Sequence, residues 1–150
     1  MLHFEDFFLT DVQDEMNKII GPTTQTIMMN AAKCSGKKVG KKLFSKGGNK
    51  KRTIIKYFKD SGLGDIVSME ISEEDKTATV EIKNTVFKRV YKKGKHHTCS
   101  YVAGILSGLF SVMFGKDVNF EEVSCESRGD KVCKFVITHK LGFEEWIRRF

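Results

Sequence analysis

Three cysteines and one glutamate in the C-terminal part of the chain, Cys99, Glu122, Cys125 and Cys133, are the residue types that hold a borderline-soft divalent metal. Thiolate sulfur and carboxylate oxygen both bind zinc, and four such ligands complete a tetrahedron with Zn–S distances of about 2.3 Å. A shell filled by four protein ligands has no position for an activated water, so the chemistry expected is structural Zn2+ that braces the fold, not hydrolysis. Cys125 and Cys133 approach each other if the turn at Arg128-Gly129-Asp130 folds two strands into a hairpin, and Glu122 lies three residues before Cys125. Cys99 stands where a helix is expected to begin, and the backbone N–H groups and dipole of a helix start favour a thiolate. Glu122 is the weakest of the four ligands and the one expected to be displaced by water or to move when a ligand binds. Spacing alone leaves a second reading open, two buried core thiols plus one exposed one, because paired Cys-x-x-Cys knuckles are lacking. Of the other candidates, His96 and His97 read as exposed side chains of a basic loop, and Cys34 as a small packing residue.

Bringing these side chains together requires both helices and an antiparallel sheet. Apolar residues at helical spacing predict a helix over Asp11–Ile20, stopped by Gly21-Pro22, and a longer one from Thr23 to about Phe44. A third runs from about Lys50 to Ser61 and ends at Gly62. Alternation then predicts strands at Ile66–Ile71 and Thr77–Ile82 around a polar turn, with Thr85–Val90 extending the sheet. The segment after Cys99 is apolar nearly all round, which marks a central helix packed on more than one side. Val118–Cys125 and Val132–Thr138 form a second hairpin, and Phe143–Phe150 closes the chain as a short amphipathic helix. The fold class is therefore α+β, helices packed on an antiparallel sheet, and 150 residues suit one domain over 1–150.

Composition narrows the function classes. Hydrophobic residues make up 40% and charged residues 30%, with one proline, which is the balance of a globular protein. Acids interrupt the apolar N-terminus, so no signal peptide is expected, and the uncharged run Thr98–Gly115 falls short of a membrane span. The cysteines are then expected in a reducing, cytoplasmic setting, where thiols serve as metal ligands more often than as disulfides. Much of the net charge of +7 comes from Lys33, Lys37, Lys38, Lys41, Lys42, Lys46, Lys50, Lys51, Arg52, Lys56 and Lys59, with no acid among them. This basic face is read first as a solvated surface; the runner-up reading is a nucleic-acid-binding or protein-interaction module on the N-terminal helices. An enzyme would need a nucleophile with its base, a cofactor cradle or an open metal position, and none is visible; Gly47-Gly48 is too short for a phosphate loop.

The run Cys99-Ser-Tyr-Val-Ala-Gly104-Ile-Leu-Ser-Gly108, then Phe114-Gly115-Lys116, Glu122-Val-Ser-Cys125 and Gly129-Asp130-Lys-Val-Cys133-Lys-Phe135, resembles the 4-vinyl reductase domain family. That family includes sensor domains of bacterial aromatic-responsive activators, a protein of bacteriochlorophyll synthesis, and stand-alone archaeal hydrocarbon-binding proteins, which this chain looks most like. The resemblance implies a fold similar to subunits of the TRAPP vesicle-tethering complex, a homodimer, and a non-catalytic domain that senses or carries an apolar small molecule. It also implies zinc on Cys99, Glu122, Cys125 and Cys133, since the sensor domains hold the metal with a Cys, a Glu and two further Cys at the same spacing. A ligand pocket is expected at Tyr101, Ala103, Gly104, Gly108 and Phe120, where two glycines remove bulk from one face of the central helix. Ala103 stands where the sensors would suit an aromatic pocket residue, so specificity for phenol is not carried over. Gly104-x-x-x-Gly108 has an equal alternative, the close approach of another helix, either that holding Gly36 and Gly40 or one from a dimer mate.

Overall fold

A glycine turn and an asparagine cap divide the N-terminal half into three helices. In the computed structural model, which describes residues 4–90 and 99–138, α1 spans Phe4–Ile20, α2 Thr23–Phe44 and α3 Lys50–Ser61. Gly21 turns the chain at φ +61 between α1 and α2. The Asn49 side chain accepts from the Arg52 N–H to start α3, and Gly62, left-handed at φ 75, ends it. Helix α1 begins a full two turns before the expected Asp11, because the inward stripe already includes half-buried Leu9 and buried Thr10.

Strands β1 (Asp65–Ser72) and β2 (Thr77–Lys83) form the first hairpin, and β3 (Asn119–Ser124) and β4 (Cys133–Thr138) the second. All pairings are antiparallel, in the order β1-β2-β4-β3, so β2 and β4 join the hairpins at the centre. Val80, Ile82, Phe120 and Phe135 turn inward and are fully buried. Helix α4 (Val86–Val90) occupies the segment expected to extend the sheet. The reason is local: the Thr85 hydroxyl accepts from the Lys88 N–H at 3.2 Å, an N-terminal cap that turns a β-branched run into one helical turn. The expected helix at 143–150 and His96 and His97 lie outside the described residues.

Helix α5 (Ser100–Phe114) is the middle layer, packed on α2 on one side and on the sheet on the other, and every residue from Val102 to Ser111 is buried. Its serines bond to the chain around it: Ser107 accepts from the Phe120 N–H at 2.8 Å and Ser111 from the Val118 N–H at 3.0 Å. Glycine decides the other side. A Cβ on Gly108 would lie 2.5 Å from Lys37 N and 2.7 Å from the Gly36 carbonyl carbon, and one on Gly36 2.6 Å from the Ile105 carbonyl oxygen. Gly104 and Gly108 therefore serve the close approach of α2 and α5, and their bulk is replaced by backbone of the neighbouring helix.

Candidate metal centre and adjoining clefts

Separate elements deliver the sulfur cluster. Cys99 is the N-cap of α5, Cys125 follows the end of β3, and Cys133 opens β4 in register with Ile82 of β2. Glu122 and Cys125 are three apart, an odd spacing that in a regular strand puts side chains on opposite faces. The β3–β4 register shifts between Glu122 and Ser124. This bulge makes Val123 the extra, half-exposed residue and returns Cys125 to the inner side with Glu122.

The three thiols are fully buried and unoxidised. Cys99 Sγ lies 3.9 Å from Cys125 Sγ and 3.9 Å from Cys133 Sγ, and all three sulfurs fall within 4.8 Å of one another. A disulfide needs about 2.05 Å. A zinc tetrahedron with about 2.3 Å bonds has edges of about 3.8 Å, so the two sulfur–sulfur distances from Cys99 already match edges of such a tetrahedron. The Glu122 carboxyl stands beside Cys125 and Cys99 and interacts with both, outside the group of three sulfurs that lie within 4.8 Å of one another. The donor set thus fits a divalent metal held by three sulfurs, with a carboxylate on hand as the fourth ligand.

The surroundings are arranged for negative sulfur. Glu126 N–H donates to Cys133 Sγ at 3.3 Å, and the Ser127 backbone N–H serves Cys125. Asp130 Oδ2 accepts from the Cys125 N–H at 2.9 Å and closes the connecting loop, whose 3-10 turn covers Glu126–Arg128. The Thr85 hydroxyl sits 3.9 Å from Cys99 Sγ and 4.0 Å from Cys133 Sγ; since its oxygen caps Lys88, its own proton is free to point at sulfur. Pattern reading misses Thr85 because it expects a strand there; a Thr opening a short helical turn is the available signal.

Electrostatics distribute one negative charge over the cluster. Hydrogen bonds from Cys133 and Cys99 hold the Cys125 thiol far below the usual thiol range. Its bond to Cys125 pushes Cys133 up to about 12. Burial, then the bond to Cys125, pushes the Glu122 carboxyl up to about 9. Cys99, expected to be the favoured thiolate, is instead driven far above the usual range: its hydrogen bonds with Cys125 and Cys133, and then burial, outweigh the helix start.

The expected pocket residues separate into three places. Ala103 and Phe120 line a cleft of about 440 Å³ between α2, α5 and β3, shared with Met29, Asn30, Asn119 and Glu122. Tyr101 lines a different, more apolar cleft of about 340 Å³ with Phe8, Leu9, Tyr57 and Leu63. Gly104 and Gly108 line neither, being closed against α2. Beside the first cleft the core holds packed rings: Phe110 meets Phe120 edge-on at 5.0 Å and Phe114 at 5.6 Å. Glu122 is common to the first cleft and the sulfur cluster. Cys34 on α2 is exposed and takes no part in the cluster. No helix among the described residues is long and apolar enough to cross a membrane.

Comparison with known proteins places this arrangement. Residues 78–139 match the 4-vinyl reductase domain, a span that contains all four candidate ligands. No curated protein sequence matches the chain. The fold is similar to that of the phenol-responsive sensory domain of the transcription activator PoxR, solved with phenol (TM-score 0.74, 13% identity, 99% of this chain and 82% of that one). It is similar to a vinyl-4-reductase family protein from Methanocaldococcus jannaschii (TM-score 0.62, 21% identity, 92% and 82%). It is also similar to a trafficking protein particle complex subunit 3 from Naegleria fowleri, covalently bound to palmitic acid (TM-score 0.65, 13% identity, 90% and 92%). Sequence and fold point the same way: residues 78–139 match the 4-vinyl reductase domain, and the chain has the α+β fold of the vinyl-4-reductase family protein, the PoxR sensory domain and the complex subunit.

Proposed function

We propose that this protein is a non-catalytic, zinc-braced domain that binds an apolar small molecule, a hydrocarbon or aromatic compound, to sense or carry it. The observation that carries the reading is the cluster of three buried sulfurs, two of them 3.9 Å from Cys99 Sγ and all within 4.8 Å of one another, with Glu122 beside it and lining the adjoining cleft. Zinc held by Cys99, Glu122, Cys125 and Cys133 ties the start of α5 to the β3–β4 hairpin, and so fixes the two elements that wall the cleft. The cleft mixes apolar surface from Met29, Ala103 and Phe120 with amides and hydroxyls, which suits a small apolar body carrying one polar group. The ligands held by two of these structural neighbours, phenol and palmitic acid, are of that kind. Four cysteines, none of them in a disulfide, support a cytoplasmic setting.

Metal content of the purified protein by plasma mass spectrometry, beside Cys125→Ser, tests the site. Near one zinc per chain, lost in the variant together with about 6–12 °C of melting temperature, is the expected result for a loss of about 3 kcal/mol in a chain of this size. Folded, metal-free protein with four reactive thiols would sink the reading. Native mass spectrometry of the same sample should reveal a co-purified organic ligand or leave the cleft open to titration.

A further inference from the structure

The positive charge of this protein is gathered in one stretch. Residues 33–59 hold 11 of the 26 Lys and Arg and no acid, so the remaining 15 cations are outnumbered by the 19 acids elsewhere. Three of the 11 have acidic partners: Lys33 and Lys37 meet Asp117 at 2.9 and 3.1 Å, and Lys56 pairs with Asp60. The other eight have no ion pair among the described residues, and all are exposed. Lys38, Lys41, Lys42 and Lys46 follow the last turns of α2 and its exit; Lys50, Lys51, Arg52 and Lys59 stand on α3. Lys50 Nζ lies 5.8 Å over the Phe44 ring, which brings the start of α3 back onto the end of α2 and joins the two groups into one surface. Lys50, Lys51 and Arg52 fill the first turn of α3, which holds no acid. Cations at a helix start oppose its dipole, so this placement lowers the stability of the isolated chain and is relieved by an anion.

We propose that this surface binds the phosphate backbone of double-stranded nucleic acid without regard to sequence. Charge complementarity selects a polyanion, and the absence of other groups selects the duplex. None of the exposed large apolar residues falls between 33 and 59, so the face has nothing to insert into a bilayer. Its aromatic residues are turned inward or covered: Phe58 is fully buried, half-buried Tyr57 packs edge-on against it at 6.1 Å, and Phe44 lies under Lys50, so no ring is offered for stacking on unpaired bases. The surface lies on α2 and α3, away from the sulfur cluster on α5, β3 and β4, and the proposal stands independently of the zinc reading.

Fluorescence anisotropy of a labelled duplex of about 20 base pairs with the full chain tests this. Binding is expected at ~50 mM salt, equal for unrelated sequences, with log K falling against log[salt] at a slope of about −5 to −7 for six to eight phosphate contacts. Lys41→Gln/Lys42→Gln/Lys50→Gln/Lys51→Gln should flatten the slope by about 3.6. Should that variant melt early, Lys42→Gln/Lys51→Gln should flatten it by about 1.8. Lys18→Gln/Lys83→Gln, outside the surface, should leave it unchanged. No binding at ~50 mM salt overturns the proposal, and so does an unaltered slope in the patch variants. Binding to phosphatidylserine vesicles without binding to duplex would assign the surface to a membrane instead and overturn it equally.

Discussion

Among single side chains, the four candidate ligands are coupled through the protons they share. With Cys125 held low, Glu122 pushed up to about 9, Cys133 to about 12 and Cys99 higher still, the group carries one negative charge between about pH 6 and 8. Proposed zinc binding by all four must then expel three protons, from Glu122, Cys133 and Cys99. Apparent zinc affinity should accordingly rise about 1000-fold per pH unit across that range, and Glu122→Gln should reduce this to about 100-fold. Competition with a chromophoric chelator at three pH values measures the slope; a Glu122→Gln slope equal to the parent's would remove Glu122 from the shell. The stability of chelator-treated protein follows a different rule. A raised Glu122 favours the folded state below its unfolded value and loses that contribution as pH rises through about 9. A depressed Cys125 works oppositely, adding stability as pH rises over the same window. The two nearly cancel, so urea midpoints of the chelated protein should be flat between about pH 6 and 8, whereas Glu122→Gln should leave the Cys125 contribution alone and make stability rise with pH.

Elements, in turn, place those side chains through close backbone contacts. Because α2 and α5 meet at glycine, a methyl group at Gly108 strikes backbone that cannot swing aside. Gly108→Ala should cost about 2–4 kcal/mol. Gly115→Ala, at φ +63 with open space around it, should cost only about 1 kcal/mol of conformational strain. Urea unfolding of the two variants checks the order, and equal costs would contradict the packing. Thr85 joins two tasks, capping α4 and facing two sulfurs. Thr85→Val keeps the shape and removes both, so a loss of about 1 kcal/mol from the cap should come with faster zinc release, whereas Thr85→Ser should restore both.

For the whole molecule, exposed apolar area and charge sit on different parts of the helical layer. Phe7, Phe8, Ile19 and Ile27 of α1 and early α2 are 46%, 60%, 80% and 43% exposed. Such a grouping suits the homodimer that the family resemblance implies. Light scattering behind size exclusion should give about 34 kDa, twice the 17.1 kDa chain, and Phe8→Asp should return it to the single mass. A parent protein at the single mass would end the dimer reading. Ligand binding is also felt by the whole fold: a phenolic or fatty-acid ligand at about 100 times its Kd should add about 2.7 kcal/mol, or roughly 5–11 °C of melting temperature. A panel in which no member shifts the melt would leave the cleft without this role.

Much of the candidate site is legible in the chain itself. Helical periodicity around Ala32 and Gly36, alternation at Val80 and Ile82, and the turn residues at Gly62 and Gly129 are local signals, and they yield α2, α3 and α5, both hairpins and the α+β class, but not α4. The four ligand types are visible because thiol and carboxylate chemistry does not depend on context. Tertiary structure decides what local signals leave open. Whether Gly104 and Gly108 make room for a ligand or for a helix depends on what lies opposite, and α2 lies opposite. Whether Glu122 and Cys125 share a face depends on a register shift that only pairing with β4 creates. Which sulfur carries the charge depends on three thiols meeting from separate elements, because mutual hydrogen bonds and burial, not the neighbours in sequence, set their proton affinities.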